Sequence, residues 1–149
     1  MFIDGIEDMH KKDLEMIELE LTILIRRSTF LSSHKKFGNL DRSAYLLLRR
    51  LADLGPAGVK VLAKEFQLDI STISRQVAAL EQKRFVYRIP DPSDGRAYTL
   101  QITELGTKVF TEHRKARLDR LVEVTNDWSD EECEAFGQLL KKFNQFYEK

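Results

Sequence analysis

The stretch from Leu62 to Thr103, LAKEFQLDISTISRQVAALEQKRFVYRIPDPSDGRAYTLQIT, constrains the fold of this chain more than any other. The period of its apolar residues changes partway along. Ile73, Val77 and Leu80 recur at four and three residues, which predicts the inner face of a helix that starts after Asp69. The Asp69 carboxylate is placed to accept hydrogen bonds from the first-turn amides of that helix. Phe85–Ile89 and Ala97–Ile102 are then short β-rich runs around a Pro/Asp/Ser/Gly cluster, the composition of a hairpin. A shorter helix at about Lys60–Phe66, with Gly58 near its N-cap, precedes them. Two short helices joined by a tight turn and followed by a two-stranded ribbon are therefore expected.

The flanking sequence is helical on both sides. Asp41 can cap a helix over about Arg42–Leu54, with Tyr45, Leu48 and Leu51 or Ala52 inward. Gly55-Pro56 ends it, because proline lacks an N–H and disfavours helix at the residue before it. Thr103 can cap a long helix to about Asn126 that carries Leu105, Val109, Leu118, Leu121 and Val122. Ser129 and Glu132 have capping-box spacing for a last helix, whose seam of Cys133, Phe136, Leu140, Phe143 and Tyr147 alternates three and four.

Residues 13–33 are apolar around much of a helical circumference. Leu14, Ile17, Leu21, Leu24 and Leu31 form one stripe, and Leu19, Ile23, Ile25 and Phe30 extend it. The surplus surface is expected to bury against a second chain, although a central core helix also fits. The polar run His34–Asn39, with Gly38, should end this helix. The expected fold class is mainly α with a small β-hairpin (α+β), a single domain in which residues 41–103 form a lobe flanked by 13–33 and 104–149.

Composition excludes more than it assigns. With 42% hydrophobic residues among 149, the chain can bury a core. Net charge is zero, which argues against a strong nonspecific polyelectrolyte binder. Its distribution is uneven: residues 41–100 hold ten Lys/Arg against seven Asp/Glu, net +3, whereas 1–40 and 101–149 come to −1 and −2. One cysteine rules out an internal disulfide and multi-cysteine zinc sites, and Cys133 on its apolar seam reads as a buried, inert thiol. No apolar run approaches the roughly 20 residues that span a bilayer, and the acidic, mixed N-terminus is unlike a secretory signal. A soluble, cytoplasmic protein is expected, with no membrane partner. His10, His34 and His113 lack metal-ligand spacing, and neither a phosphate-binding glycine loop nor a nucleophile elbow occurs, so no metal, cofactor or catalysis is expected.

The outer face of the second helix carries the chemistry. The major groove of DNA admits one α-helix, and small polar or basic side chains near its N-terminal end can meet base edges or phosphates. Arg75 can bond guanine in bidentate fashion or clamp a phosphate. Gln76 can pair with adenine, and Ser71, Thr72 and Ser74 can serve backbone or base. Taken alone, such a helix is better read as an ordinary solvated face; the preceding short helix, the Asp-led turn and the following ribbon favour double-stranded DNA as the partner.

The order of these elements resembles a winged helix-turn-helix of the MarR family of transcriptional regulators. LAKEFQLDISTISRQVAALE matches the helix pair. DPSDGRAYTLQIT with Glu104-Leu105-Gly106 matches the wing and its exit, close to the family pattern D-P-x-D-x-R-A-x-x-L-x-L-T-x-x-G. With the flanking helices, the resemblance covers nearly the whole chain. It implies that Arg96 is the wing arginine that enters the minor groove and that Asp94 helps hold the tip. A narrow minor groove attracts an inserted guanidinium, in agreement with that role. It also implies that the terminal helices of two subunits interlock in a homodimer, that the dimer is a repressor of a pseudo-palindromic operator, and that a small aromatic or phenolic effector relieves it. Arg27, His34 and Tyr45 are the candidate effector-pocket residues. A winged-helix protein–protein adaptor without DNA binding is the alternative, against which Arg75 and Arg96 together argue. Two positions depart from the family pattern. Gly95 stands where a second basic residue often precedes the wing arginine. Arg84 stands where glycine usually ends the recognition helix, so that either Arg84 takes a left-handed backbone or the helix ends differently.

Overall fold

The computed structural model describes residues 8–27 and 40–148. The chain divides into two units, Met1–Ser33 and His34–Lys149. Among the described residues the first contributes α1 (Asp8–Arg26), which starts earlier than residue 13. Leu14, Ile17, Leu19, Leu24 and Ile25 on α1 are all exposed. Phe30, Leu31 and the His34–Asn39 run lie outside the described residues.

In the second unit each helix starts at a residue whose side chain or conformation suits a cap. Asp41 is the N-cap of α2 (Arg42–Leu54), and its Oδ1 accepts the Ala44 amide at 2.8 Å. Gly55 ends α2 at φ 85, a backbone that glycine adopts without strain. Gly58 is the N-cap of α3 (Val59–Phe66), and Asp69 that of α4 (Ile70–Gln82). Thr103 caps α5 (Glu104–Val124), its hydroxyl accepting the Gly106 amide at 2.9 Å. The Ser129–Glu132 capping box forms at α6 (Asp130–Gln145), and a single 3-10 turn, Phe146–Glu148, follows.

The hairpin pairs β1 (Val86–Asp91) with β2 (Asp94–Ile102) in antiparallel register, Val86 opposite Ile102 and Arg88 opposite Leu100. Both strands run further toward the turn than the β-rich runs alone predict, so that only Pro92 and Ser93 lie between them. Ala57 exchanges two backbone hydrogen bonds with Leu100, at 3.2 and 2.8 Å, which ties the α2–α3 connection to the ribbon.

The core lies between α2, α3, α4, the ribbon and the start of α5. Leu48, Leu62, Ile73 and Leu100 are wholly buried. On α2 the inward residues are Tyr45, Leu47, Leu48 and Leu51, and Ala52 faces solvent. On α5, Gly106, Phe110, His113 and Ala116 are buried and Val109 is half-buried against the core, whereas Leu105, Leu118, Leu121 and Val122 are exposed. Two small residues and a histidine line that face beside Phe110, which hydrophobicity alone does not signal. α6 buries no residue, and Cys133 is exposed, contrary to the expected buried thiol. The apolar seam on which it sits has no cover within the described chain.

Candidate nucleic-acid interface

The outward face of α4 is defined by what its inward face fixes. Ile73, Val77 and Leu80 are at most 2% exposed, and burying each stabilises this placement by about 1.5–3 kcal/mol. At about 100° per residue, Ser71 and Arg75 then occupy the centre of the outward stripe, with Thr72 and Gln76 on one flank and Ser74 on the other. Ser71 and Arg75 are exposed; Thr72, Ser74 and Gln76 are half-buried. The Arg75 guanidinium makes no hydrogen bond or ion pair among the described residues, so its donors are open to a ligand.

Backbone geometry sets how α4 enters and leaves. α3 ends with Gln67 in the left-handed region at φ 54; the Gln67 amide bonds the Lys64 carbonyl, and the Leu68 amide that of Ala63. This Schellman arrangement makes the tight turn, and no glycine marks it in the sequence. At the start of α4 the Asp69 carbonyl accepts the Ile73 amide at 3.1 Å. The Asp69 side chain makes no capping bond, contrary to expectation, and is left exposed near the positive end of the helix.

Arg84 takes the left-handed backbone, at φ 64. The Arg84 amide bonds the Glu81 carbonyl and the Phe85 amide that of Leu80, which closes a second Schellman motif. Thr103 locks this exit to α5: its hydroxyl donates to the Arg84 carbonyl at 2.7 Å, and its amide to that of Phe85 at 2.9 Å. Gly106 lies against the same carbonyl, so closely that a Cβ there would overlap the Phe85 oxygen and come within 2.9 Å of Ile102 Cγ1.

The wing tip is held by short polar contacts. Asp91 accepts the Ser93 amide and hydroxyl at 2.9 and 2.7 Å, and these bonds hold its carboxyl below the usual carboxylate range. Asp94 accepts the Arg96 amide at 3.0 Å. Pairing slips between Pro90, opposite Tyr98, and Asp91, opposite Asp94, so that Gly95, Arg96 and Ala97 form a bulge on β2. Arg96 therefore sits in that bulge rather than at the turn itself. It is exposed, and its guanidinium has no partner among the described residues. The Gly95 backbone is not left-handed, and the space around it is open.

Two arginines that the sequence reading did not single out fix the lobe internally. Arg50 donates to both Glu65 oxygens, at 2.6 and 3.1 Å, and to the Gly55 carbonyl at 3.2 Å, which joins α2 to α3. Arg88 donates to both Glu81 oxygens, each at 2.9 Å, and lies 4.3 Å above the Tyr98 ring, which joins the wing to the end of α4. Neither pair follows a short sequence spacing within one element. Register and packing bring them together.

Of the candidate effector residues, Tyr45 is the one described in the second unit. Tyr45 is 6% exposed and packs against Phe110, with ring centroids 5.4 Å apart. Arg27 follows α1 in the other unit, and His34 lies outside the described residues. A residue not foreseen, Arg117, stands over Tyr45. The Arg117 guanidinium is 4.0 Å from the ring centroid, and its Nε and Nη2 are buried with no acceptor among the described residues. Burial, which disfavours its charge, pulls the Arg117 pKa below the ordinary value; Tyr45 opposes this and Arg42 adds to it.

A helix pair with a free outward face, joined rigidly to an arginine-bearing wing, defines a winged-helix DNA-reading protein. The model of the MarR family matches residues 40–98. An HTH-type transcriptional regulator of Bacillus subtilis (strain 168), YxaD, is 49% identical over 93% of this chain and 97% of its own length. The chain belongs to the MarR family of transcriptional regulators, which are DNA-binding proteins and not enzymes. A mutant MarR from E. coli complexed with operator DNA superposes with a TM-score of 0.70 at 19% identity, covering 92% of this chain and 99% of that one. FabT of Streptococcus pneumoniae in complex with DNA gives 0.69 at 18% identity, over 95% and 98%. These likenesses show the winged-helix fold. No helix among the described residues is long and apolar enough to cross a membrane.

Proposed function

We propose that the chain is a homodimeric repressor in which the α4 helices of two copies read successive major-groove faces of a pseudo-palindromic operator. Ser71, Thr72, Ser74, Arg75 and Gln76 face the groove, Arg96 enters the adjacent minor groove, and Asp94 holds the Arg96 backbone in place. The observation that carries this reading is Arg75: an exposed guanidinium without a partner among the described residues, on a helix whose opposite face is locked into the core. That two relatives of the same fold were crystallised with DNA supports it. Pairing of two copies is supported by α6, whose Phe136, Leu140, Phe143 and Tyr147 are exposed among the described residues, and by exposed Leu118, Leu121 and Val122 on α5. Residues 13–33 and 104–149 would form the interface.

Repression would follow from occlusion of a promoter, and relief from an effector that changes the spacing of the two recognition helices. A small aromatic or phenolic acid suits the unmet donors of Arg117 beside Tyr45, because a carboxylate would complete them. The test is selection of bound fragments from genomic DNA, repeated with candidate aromatic acids. Enrichment of a two-fold-related sequence that is lost with one acid supports the whole reading, and enrichment unaffected by any of them refutes relief by such acids. Recovery of no sequence, or affinity that does not fall with salt, refutes operator binding through phosphates.

A further inference from the structure

We infer that the Glu81–Arg88 pair is a positioning device that sets the wing relative to the recognition helix, and so sets whether Arg96 reaches DNA. The inference rests on the role proposed above for Arg96.

Its basis is the register of the ribbon. Along β1, residues 86, 88 and 90 share one face, and their partners on β2 are Ile102, Leu100 and Tyr98. Val86 and Leu100 on that face are buried in the core. Arg88 therefore projects on the helix-facing side of the wing, toward the end of α4. There its fork meets both oxygens of Glu81 at 2.9 Å, and its plane lies on the diagonal neighbour Tyr98, 4.3 Å from the ring centroid. A fork that is bidentate at one end and stacked at the other fixes distance and angle together, which a lysine could not do. Glu81 belongs to the last turn of α4, less than two turns beyond Arg75. The pair therefore links the helix that carries Arg75 to the ribbon that carries Arg96. It lies before the bulge that contains Arg96, where a small change of angle is carried to the tip.

An acidic residue is unusual in such a place. Removal of a carboxylate from a DNA-binding lobe ordinarily strengthens binding, since it raises the positive potential. A positioning role demands the opposite sign. Affinity of the full-length protein would be measured by fluorescence anisotropy on the tightest duplex recovered by genomic selection, with Glu81→Gln, Arg88→Lys and Arg96→Ala alone and Glu81→Gln combined with Arg96→Ala. Glu81→Gln should weaken binding by about three- to tenfold, and Arg88→Lys similarly, although the lysine keeps the charge. In the Arg96→Ala background Glu81→Gln should cost less than about twofold, because the wing no longer has a contact to misplace.

Unchanged or tighter binding by Glu81→Gln overturns the inference. So does an equal loss in both backgrounds, which would mark a general structural effect. Full activity of Arg88→Lys also overturns it, as that is the behaviour of a simple phosphate contact. If Arg96→Ala alone is silent, the minor-groove reading itself fails. If Arg96→Ala weakens binding and Glu81→Gln does not, only the positioning role is lost.

Discussion

Replacement of Arg84 separates backbone strain from side-chain chemistry at the exit of the recognition helix. Arg84 stands at φ 64, where an L-residue brings its Cβ close to a carbonyl oxygen at a cost of about 1–2 kcal/mol. Glycine removes that cost and gives back about 0.5–1 kcal/mol in chain entropy on folding. Alanine keeps the Cβ and loses the guanidinium. Arg84→Gly should therefore be more stable than Arg84→Ala by roughly 0.5–1 kcal/mol, with the gain in the folded backbone alone. The left-handed residue is held by the Schellman bonds to Leu80 and Glu81 and by the Thr103 hydroxyl on its carbonyl, so the chain has no easy way to relax around alanine. Urea unfolding at one fixed protein concentration reads the difference, since association also contributes to apparent stability. A stability of the alanine variant above the glycine variant by about 0.5–1 kcal/mol, the entropy difference alone, would show that this backbone stores no strain.

Three further outcomes follow from neighbouring contacts. Gly106→Ala is favoured by about 1 kcal/mol of helix propensity, yet its Cβ would overlap the Phe85 carbonyl, so a net destabilisation of about 1–3 kcal/mol is expected by thermal melting, and a stabilised variant would contradict that packing. The two hydrogen bonds from Arg50 hold the Glu65 carboxyl below its ordinary value of 4.5, with burial opposing. A depressed folded-state value stabilises fully above about pH 4.5 and is lost as pH falls through the lower folded-state value. Glu65→Gln, half-exposed and screened, should lose about 0.5–1 kcal/mol at neutral pH and show a shallower acid limb; an unchanged limb would mean the pair contributes nothing. Arg75→Ala should cost about 1–3 kcal/mol in operator binding with little change on random DNA, whereas equal losses on both would make Arg75 a phosphate clamp.

Much of the fold was legible because its signals are local. Asp41, Thr103 and the Ser129–Glu132 box mark helix starts by hydrogen bonds that reach only three residues. The period of Ile73, Val77 and Leu80 identifies the buried face of α4 and, by exclusion, the outward stripe. Long-range contacts were not legible. The Glu81–Arg88 and Arg50–Glu65 pairs depend on tertiary packing, and the unmet donors of Arg117 exist only once α5 lies on α2. The buried face of α5 was not legible from hydrophobicity, because a glycine, a histidine and an alanine join Phe110 there while several aliphatic residues of the helix are exposed. Arg84 shows the middle case: the two conformations were foreseeable from the residue type, and the closing hydrogen bonds selected the left-handed one.

Hydroxyl-radical footprinting of the wild-type protein and Arg96→Ala on the selected operator tests the paired-reader account most directly. Two protected blocks related by a two-fold axis are expected, centred about 10–10.5 base pairs or a multiple of that apart. The flanking minor-groove protections should vanish in Arg96→Ala while the central blocks persist. A single isolated block, or flanks unchanged by Arg96→Ala, would contradict a dimer that reads the major groove with α4 and the minor groove with its wing.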